Sequence, residues 1–262
     1  MNLIHIMHPL NSCHWTQDYE LYLAQELDKH ATSAMCEQIR SKDNFKILDN
    51  GCYENDAVDL DVLFRQADAI GATEIILPDV MGDFYGTLKA TTDALEWALT
   101  HGKYDYKFMA VCQGKTWDEY ESCVQLFKGI NEITCIGVPK KFCRAEYIER
   151  AGDAVAGARE AALARGLFAE QVAQMVDGRK DIHLLGLSWN VLELPQVSKF
   201  VRTCDTNNIV ENVKRKNHAI ASWATSGENY SLDIPMTAEE LFVVRQRAEA
   251  LHTYINGSEG FR

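Results

Sequence analysis

The eight cysteines of the sequence include no CxxC pair, which excludes a zinc ribbon and a thioredoxin-type redox motif. No window approaches the roughly 18 consecutive apolar residues that a membrane-spanning helix needs, and no signal-peptide pattern stands at the N-terminus. A P-loop, a GxGxxG motif and low-complexity segments are also missing. These absences predict a cytoplasmic protein with reduced cysteines and no membrane partner.

The composition is that of a folded enzyme. Of the 262 residues, 47% are hydrophobic and 24% are charged, which excludes a disordered or fibrous chain. This length fits one large α/β barrel or two ordinary domains.

Charge is unevenly distributed along the chain. The formal net charge of −12 argues, on average, against a nucleic-acid partner. Residues 1–131 carry 10 Lys/Arg and 21 Asp/Glu, net −11, whereas residues 132–262 carry 16 and 17, net −1. We therefore expect a polyanion to meet the second half, although basic clusters are more often solvated surface. The two clusters there are Lys140 and Lys141 with Arg144, and Lys214, Arg215 and Lys216.

Short apolar runs recur between amphipathic stretches, about 30 residues apart on average, the length of one βα unit. The runs alternate only weakly, as parallel strands buried on both faces do. Seven units and a weaker eighth strand near Ile220–Trp223 predict a (β/α)8 TIM barrel, with an open doubly wound sheet as the alternative. The seven strands are predicted at Leu3–Met7, Phe45–Leu48, Glu74–Leu77, Lys107–Cys112, Ile133–Val138, Ile182–Leu187 and Phe200–Cys204.

Two helices are predicted to begin at capping boxes, in which a threonine stands three residues before a glutamate. The pairs are Thr116 with Glu119 and Thr237 with Glu240. The second pair opens a C-terminal helix at about 237–255 that packs on the barrel. We predict a single compact domain spanning 1–262.

Polar side chains follow the predicted strands, where the active site of a parallel barrel is built. They are Asp49, Asp79, Gln113 and Asp205. Each has an ordinary explanation, since Asp49 opens a turn sequence, Asp79 and Asp205 suit helix N-caps, and Gln113 suits the cap of a turn. Three carboxylates at one barrel mouth, however, would repel one another without a polar ligand. Because no histidine or lysine accompanies these carboxylates, we expect a carboxylate nucleophile, a carboxylate proton shuttle and a carboxylate that accepts N–H groups, which is glycosyl-transfer chemistry.

Six short motifs stand at these positions: Asp49-Asn-Gly-Cys-Tyr53-Glu54, Pro78-Asp79, Val111-Cys-Gln113-Gly114, Ile136-Gly137-Val138, Leu184-Leu185-Gly186 and Cys204-Asp205. Their order and spacing resemble the queuine/archaeosine tRNA-guanine transglycosylase superfamily over about residues 45–210. The compact length and the Asp-Asn-Gly and Pro-Asp motifs are most similar to the phage-encoded 7-deazaguanine DNA transglycosylases. The resemblance implies exchange of guanine in DNA for a 7-deazaguanine such as preQ0, without a cofactor.

The resemblance also implies roles for individual residues. Asp205 corresponds to the nucleophile that attacks C1′ and holds the nucleoside as a covalent ester. Asp49 corresponds to the acid/base that takes the proton from N9 of the incoming base. Asp79 and Gln113 correspond to the residues that bind the edge of the base.

Four further positions match the base pocket of the family. Gly137 and Val138 correspond to backbone contacts with the base carbonyl, Tyr53 to an aromatic ring against the base, and Leu185 to an apolar pocket floor. We expect phosphates near the barrel mouth to meet the two basic clusters. The target nucleotide must be flipped or single-stranded to enter a barrel.

The sequence departs from the tRNA-acting enzymes after its nucleophile. Those enzymes carry a zinc site there, whereas no cysteine follows Cys204, so we predict no metal and no zinc subdomain. Glu54 stands where the tRNA family usually has glutamine, so we expect a different 7-substituent to be accepted. The alternatives are a tRNA-acting transglycosylase, a barrel glycosidase that hydrolyses its substrate, and a non-catalytic nucleic-acid-binding paralogue.

One histidine-rich segment also suggests metal binding. His5, His8, Cys13 and His14 lie within ten residues. A His-x-x-His on a strand points its side chains to opposite faces, so we favour a strand followed by a polar loop near the mouth over a zinc site.

Overall fold

The structure is a computed structural model that describes residues 1–6, 8–52, 57–140, 154–186, 194–206, 209–210, 213 and 235–257. Its strands are β1 (Asn2–His5), β2 (Tyr19–Leu23), β3 (Phe45–Asp49), β4 (Glu74–Ile76), β5 (Lys107–Val111), β6 (Ile133–Pro139), β7 (Asp181–Leu185) and β8 (Thr203–Thr206). Its helices are α1 (Pro9–His14), α2 (Ala24–His30), α3 (Ser33–Arg40), α4 (Leu60–Ile70), α5 (Phe84–Thr100), α6 (Trp117–Lys128), α7 (Ala154–Val176), α8 (Leu194–Val197) and α9 (Ala238–Gly257).

All eight strands run parallel in one sheet, in the order β1-β8-β7-β6-β5-β4-β3-β2. Because this is chain order around a ring, with β1 returning beside β2, the sheet is a nearly closed barrel. The prediction of a (β/α)8 TIM barrel is confirmed, and the doubly wound alternative is excluded.

The seam of the barrel lies between β1 and β2, which no backbone ladder joins in the described residues. The side chain of Gln17 occupies this seam. Its Oε1 accepts from the His5 N–H at 3.1 Å, and its Nε2 donates to the His5 carbonyl at 3.2 Å. One carboxamide therefore replaces the neighbouring strand for this residue.

The eighth strand differs from the sequence prediction, because β2 completes the described barrel; Ile220–Trp223 lies outside the described residues. Tyr19–Leu23 was missed because Glu20 interrupts its apolar run. Glu20 is nevertheless only 3% exposed and faces Lys42, whose Nζ lies 2.8 Å from Oε1. This ion pair and a hydrogen bond from Tyr22 make the buried carboxylate compatible with a strand.

The polar loop predicted after the first strand is also wrong, because α1 forms there. His8 is its N-cap, with Nδ1 accepting from the Leu10 N–H at 3.1 Å. Asn11 on α1 is joined to Met236 by two hydrogen bonds, of 3.0 and 2.7 Å. These bonds fix the chain just before α9.

Helix starts follow the predicted capping boxes. The Thr116 hydroxyl accepts from the Glu119 N–H at 3.3 Å. At α9 the pair is reciprocal, because Thr237 accepts from the Glu240 N–H at 3.2 Å and Glu240 accepts from the Thr237 N–H at 2.8 Å.

In the described segments no helix is both long and apolar enough to cross a membrane.

The barrel interior is apolar in its middle and charged at its N-terminal end. Arg202, just before β8, donates to Glu74 Oε1 at 3.1 Å and Asp181 Oδ2 at 3.0 Å. The guanidinium also lies 5.0 Å over the Phe45 ring. The middle layer consists of Ile4, Leu21, Leu23, Ile47, Ile76, Met109, Val111 and Cys135. This end and the middle of the barrel are filled, and the polar residues predicted from the sequence lie at the opposite, C-terminal end.

Candidate active site

The polar residues predicted from the sequence lie at the carboxyl ends of the strands. Asp49 is the last residue of β3, Asp79 follows β4, Gln113 follows β5, and Asp205 lies within β8. Since the strands are parallel, all four stand at the same end of the barrel. The strand predicted at Phe200–Cys204 is shifted towards the C-terminus, so Asp205 is held by the sheet itself.

Asp205 faces the interior and is 7% exposed. Its Oδ1 accepts two hydrogen bonds, from His183 Nε2 at 2.9 Å and from the Gly186 N–H at 2.8 Å. Within the described chain, Oδ2 accepts none. The carboxylate therefore has one anchored oxygen and one oxygen available to a ligand.

The end of β7 is fixed from behind by a buried arginine. Arg165 on α7 is 1% exposed and donates to the carbonyls of Leu185 and Gly186 at 2.9 and 2.6 Å. Gly186 has φ of +67°, a left-handed conformation that favours glycine. The Gly186 N–H is thereby held in the position from which it reaches Asp205.

Asp79 and Gln113 form the second polar group. Gln113 Nε2 donates to Asp79 Oδ2 at 2.6 Å, and Gln113 Oε1 accepts from the Gly82 N–H at 3.2 Å. The backbone contact fixes which end of the amide faces the carboxylate. Burial raises the pKa of Asp79 to about 6, because the hydrogen bonds from Gln113 and Cys52 only partly offset the desolvation.

Asp49 opens a turn in which its Oδ1 accepts from the Gly51 N–H at 3.0 Å. Cys52, in the same turn, donates through Sγ to the Asp79 carbonyl at 2.9 Å. Burial and the nearby carboxylates of Asp79 and Asp49 raise the pKa of the Cys52 thiol to about 12. Both carboxylates therefore favour the neutral form of the Cys52 thiol. Asp49 stabilises the turn and also lies at the mouth of the barrel.

The residues predicted to line a base pocket differ in the direction of their side chains. Gly137 is directed to the interior, where a Cβ would lie 3.1 Å from Leu185 Cδ1 and 3.1 Å from Val111 Cγ2. Leu185 packs on the apolar interior layer. Val138 belongs to the outer core between strands and helices, so only its backbone is available to the interior.

Several predicted residues lie outside the described chain. They are Tyr53, Lys141, Lys214, Arg215 and Lys216. Lys140 is described and lies beside the site, since a Cβ on Gly186 would be 3.8 Å from Lys140 Cδ.

His183 was not among the site residues predicted from the sequence, because it lies within β7 and not after a strand. His183 is fully buried in β7 and contacts Asp205 directly. The available signal was its place two residues before Leu185, since alternate strand residues share a face. Its apolar neighbours obscured this signal, because the whole run resembles a strand buried on both faces.

The histidine-rich segment does not converge on one point. His5 stacks on Trp15 with ring centroids 5.8 Å apart, His8 faces His30, and Cys13 Sγ lies 3.8 Å from the Met35 carbonyl. In the ranges that the structure covers, no three His, Cys, Asp or Glu side chains are grouped as metal ligands.

Neither a scan against models of known protein families nor a sequence search of characterised proteins finds a match. The chemistry of the site follows from its geometry. An oriented carboxylate, a second carboxylate in a turn and a buried carboxylate–carboxamide pair can attack, transfer a proton and bind an edge of N–H donors.

Proposed function

We propose that the protein is a base-exchanging transglycosylase that replaces guanine in DNA by a 7-deazaguanine such as preQ0. The observation that carries the proposal is the Asp205 carboxylate, which has Oδ1 held by two donors and Oδ2 available. A nucleophile at an anomeric carbon requires this combination of fixed orientation and one reactive oxygen.

In the first half-reaction, Asp205 Oδ2 donates an electron pair to C1′ of the target nucleotide. The C1′–N9 bond breaks, its electrons pass to the departing guanine, and Asp49 supplies the proton. In the second half-reaction Asp49 takes the N9 proton of the incoming base, N9 attacks C1′, and the Asp205 carboxylate leaves. Two displacements give net retention at C1′.

Base recognition is assigned to the pair of Asp79 and Gln113. Guanine and 7-deazaguanines present N1–H and N2–H₂ donors on one edge, and an ionised carboxylate can accept from both. Since the pKa of Asp79 is about 6, the group is mainly ionised at neutral pH. Gln113 holds one oxygen of this carboxylate and so limits its rotation.

The nucleic acid approaches the C-terminal end of the barrel in this proposal. We expect Lys140 to meet a phosphate next to the flipped nucleotide, and its position beside Gly186 supports this. The preference for DNA over tRNA rests on the resemblance described above, because no cysteine follows Cys204.

The decisive experiment offers labelled guanine, preQ0 and preQ1 separately to the protein with single-stranded DNA, duplex DNA and tRNA. We expect incorporation into DNA only, and a covalent protein–DNA species that Asp205→Ala cannot form. Asp28→Asn is the matched control, because it removes a surface carboxylate paired with Arg65. Exchange into tRNA would establish the RNA-acting alternative, base release without exchange would establish a hydrolase, and substantial exchange by Asp205→Ala would reject the nucleophile.

A further inference from the structure

The environment of His183 determines which ring nitrogen carries hydrogen towards Asp205. Nε2 lies 2.9 Å from Asp205 Oδ1, and Nδ1 lies 2.7 Å from Thr203 Oγ1. An ionised carboxylate only accepts hydrogen bonds, so Nε2 is the protonated nitrogen facing it. In the neutral ring, Nδ1 is then the acceptor and the Thr203 hydroxyl donates to it.

We infer that His183 is a positioning residue that holds Oδ1 of Asp205, so that Oδ2 is the oxygen that bonds to C1′. The inference rests on the proposed function. His183 is completely buried, and its ring lies between Thr203 and Asp205 on the neighbouring strand. Nε2 of His183 and the backbone N–H of Gly186 converge on Oδ1, whereas no side chain or backbone group of the described residues donates to Oδ2.

This arrangement acts most strongly when the covalent intermediate breaks down. In the ester formed through Oδ2, Oδ1 is the carbonyl oxygen and keeps both N–H donors. When the incoming base attacks C1′, the C1′–Oδ2 bond breaks and its electron pair returns to the carboxylate. The negative charge then spreads over Oδ1, where two fixed donors stabilise it.

The ordinary explanation is that the three side chains form a hydrogen-bonded core network with no catalytic consequence. Under that explanation, replacing His183 changes stability but not the rate constants of a variant that remains folded. Under our inference, the rate of ester breakdown falls while the affinity of the ester for the incoming base is unchanged, because His183 is fully buried and presents no surface to a ligand.

The test measures single-turnover formation and breakdown of the protein–DNA ester. We expect His183→Leu to slow breakdown about 10²-fold and to accumulate the ester, as loss of one donor to a developing oxyanion does. His183→Gln, whose amide can donate to Oδ1, should recover most of this loss. His101→Gln, on an exposed histidine, is the matched control. Wild-type breakdown rates in a folded His183→Leu protein would overturn the inference.

Two measurements keep the inference testable if His183→Leu does not fold. Thr203→Val removes only the hydroxyl that orients Nδ1 and should slow breakdown several-fold; an unchanged rate would contradict the inference. ¹⁵N NMR of histidine-labelled wild-type protein should show the Nε2–H of His183, and an Nδ1–H tautomer would contradict it. If the wild type exchanges no base, the proposed function fails. The NMR result still decides whether Nε2 of His183 carries the hydrogen that faces Asp205.

Discussion

The Gln113 amide connects Asp79 to the backbone of Gly82, donating to the carboxylate at 2.6 Å while accepting from the Gly82 N–H at 3.2 Å. A reversed amide would place its oxygen against the carboxylate and its NH₂ group against the Gly82 N–H. The orientation of Gln113 is therefore fixed before any ligand binds.

The ionised Asp79 side chain, which we propose binds the edge of the base, should lower the free energy of unfolding. Its folded pKa of about 6 lies above the ordinary aspartate value of 3.8, so ionisation costs the folded state up to about 3 kcal/mol above pH 6. Asp79→Asn should therefore raise the free energy of unfolding at pH 7.5 more than at pH 4. Denaturant titrations at the two pH values measure this, with Asp28→Asn as the control. An equal effect at both pH values would show that Asp79 is not desolvated.

Base affinity of the wild type should fall as Asp79 becomes protonated. Above pH 6 the carboxylate accepts both donors of the base edge, whereas the neutral acid offers its own O–H to a donor. We expect the affinity for preQ0 to decrease as the pH falls below 6, with a limiting slope of about tenfold per pH unit. Calorimetric titration from pH 7.5 to 4.5 measures it, and a flat profile would remove Asp79 from the recognition edge.

Asp49→Asn should separate the turn from the proton shuttle. The asparagine oxygen can still accept from the Gly51 N–H, so the fold should be unchanged. Turnover should fall by about 10²–10⁴-fold, because the group can no longer exchange a proton. Thermal unfolding measures whether the fold is unchanged, and steady-state kinetics measure the loss of turnover. Full activity would leave Asp49 with a structural role alone.

Gly137→Ala should narrow the interior beside Leu185. The new methyl group meets Leu185 and Val111 at 3.1 Å, which is closer than ordinary contact. We expect about 1–3 kcal/mol of destabilisation and weaker base binding. In a double-mutant cycle with Leu185→Ala, the combined loss of stability should be smaller than the sum of the single losses. Simple additivity would mean that the two side chains do not compete for this space.

His5 should make the protein sensitive to acid. Burial lowers its pKa to about 4, so the unfolded chain binds the proton first as pH falls below 6.5. Stability should decrease between pH 6.5 and 4 by up to about 3 kcal/mol. His5→Phe retains a ring beside Trp15 but does not titrate, so its unfolding free energy should decline less over this range. Parallel curves for both proteins would exclude His5 as the cause.

Most of the barrel could be predicted from sequence because its parallel strands are apolar on both faces. β2 could not, because the Glu20 carboxylate is made compatible with burial by Lys42, which is distant in sequence. The same limit applies to His183. Strand-end position identified Asp79 and Gln113 and predicted their proximity, but a polar residue inside an apolar run gives no local sign of the partner it meets across the sheet.

At the seam that Gln17 occupies, β1 has a paired strand on one side only in the part of the chain that the structure describes. Among the described residues, β1 pairs along its length with β8 alone, and on its other side the Gln17 side chain holds the His5 backbone. Local opening of the wall should therefore begin at this junction, because separating β1 from β2 breaks no ladder of described residues. In hydrogen exchange, the His5 amide should lose protection before the amides of β5 and β6, which have a paired strand on both sides. Gln17→Ala should accelerate the loss of protection at the His5 amide and leave the amides of β5 and β6 unchanged. The Gln17 carboxamide therefore determines where local opening of the barrel begins.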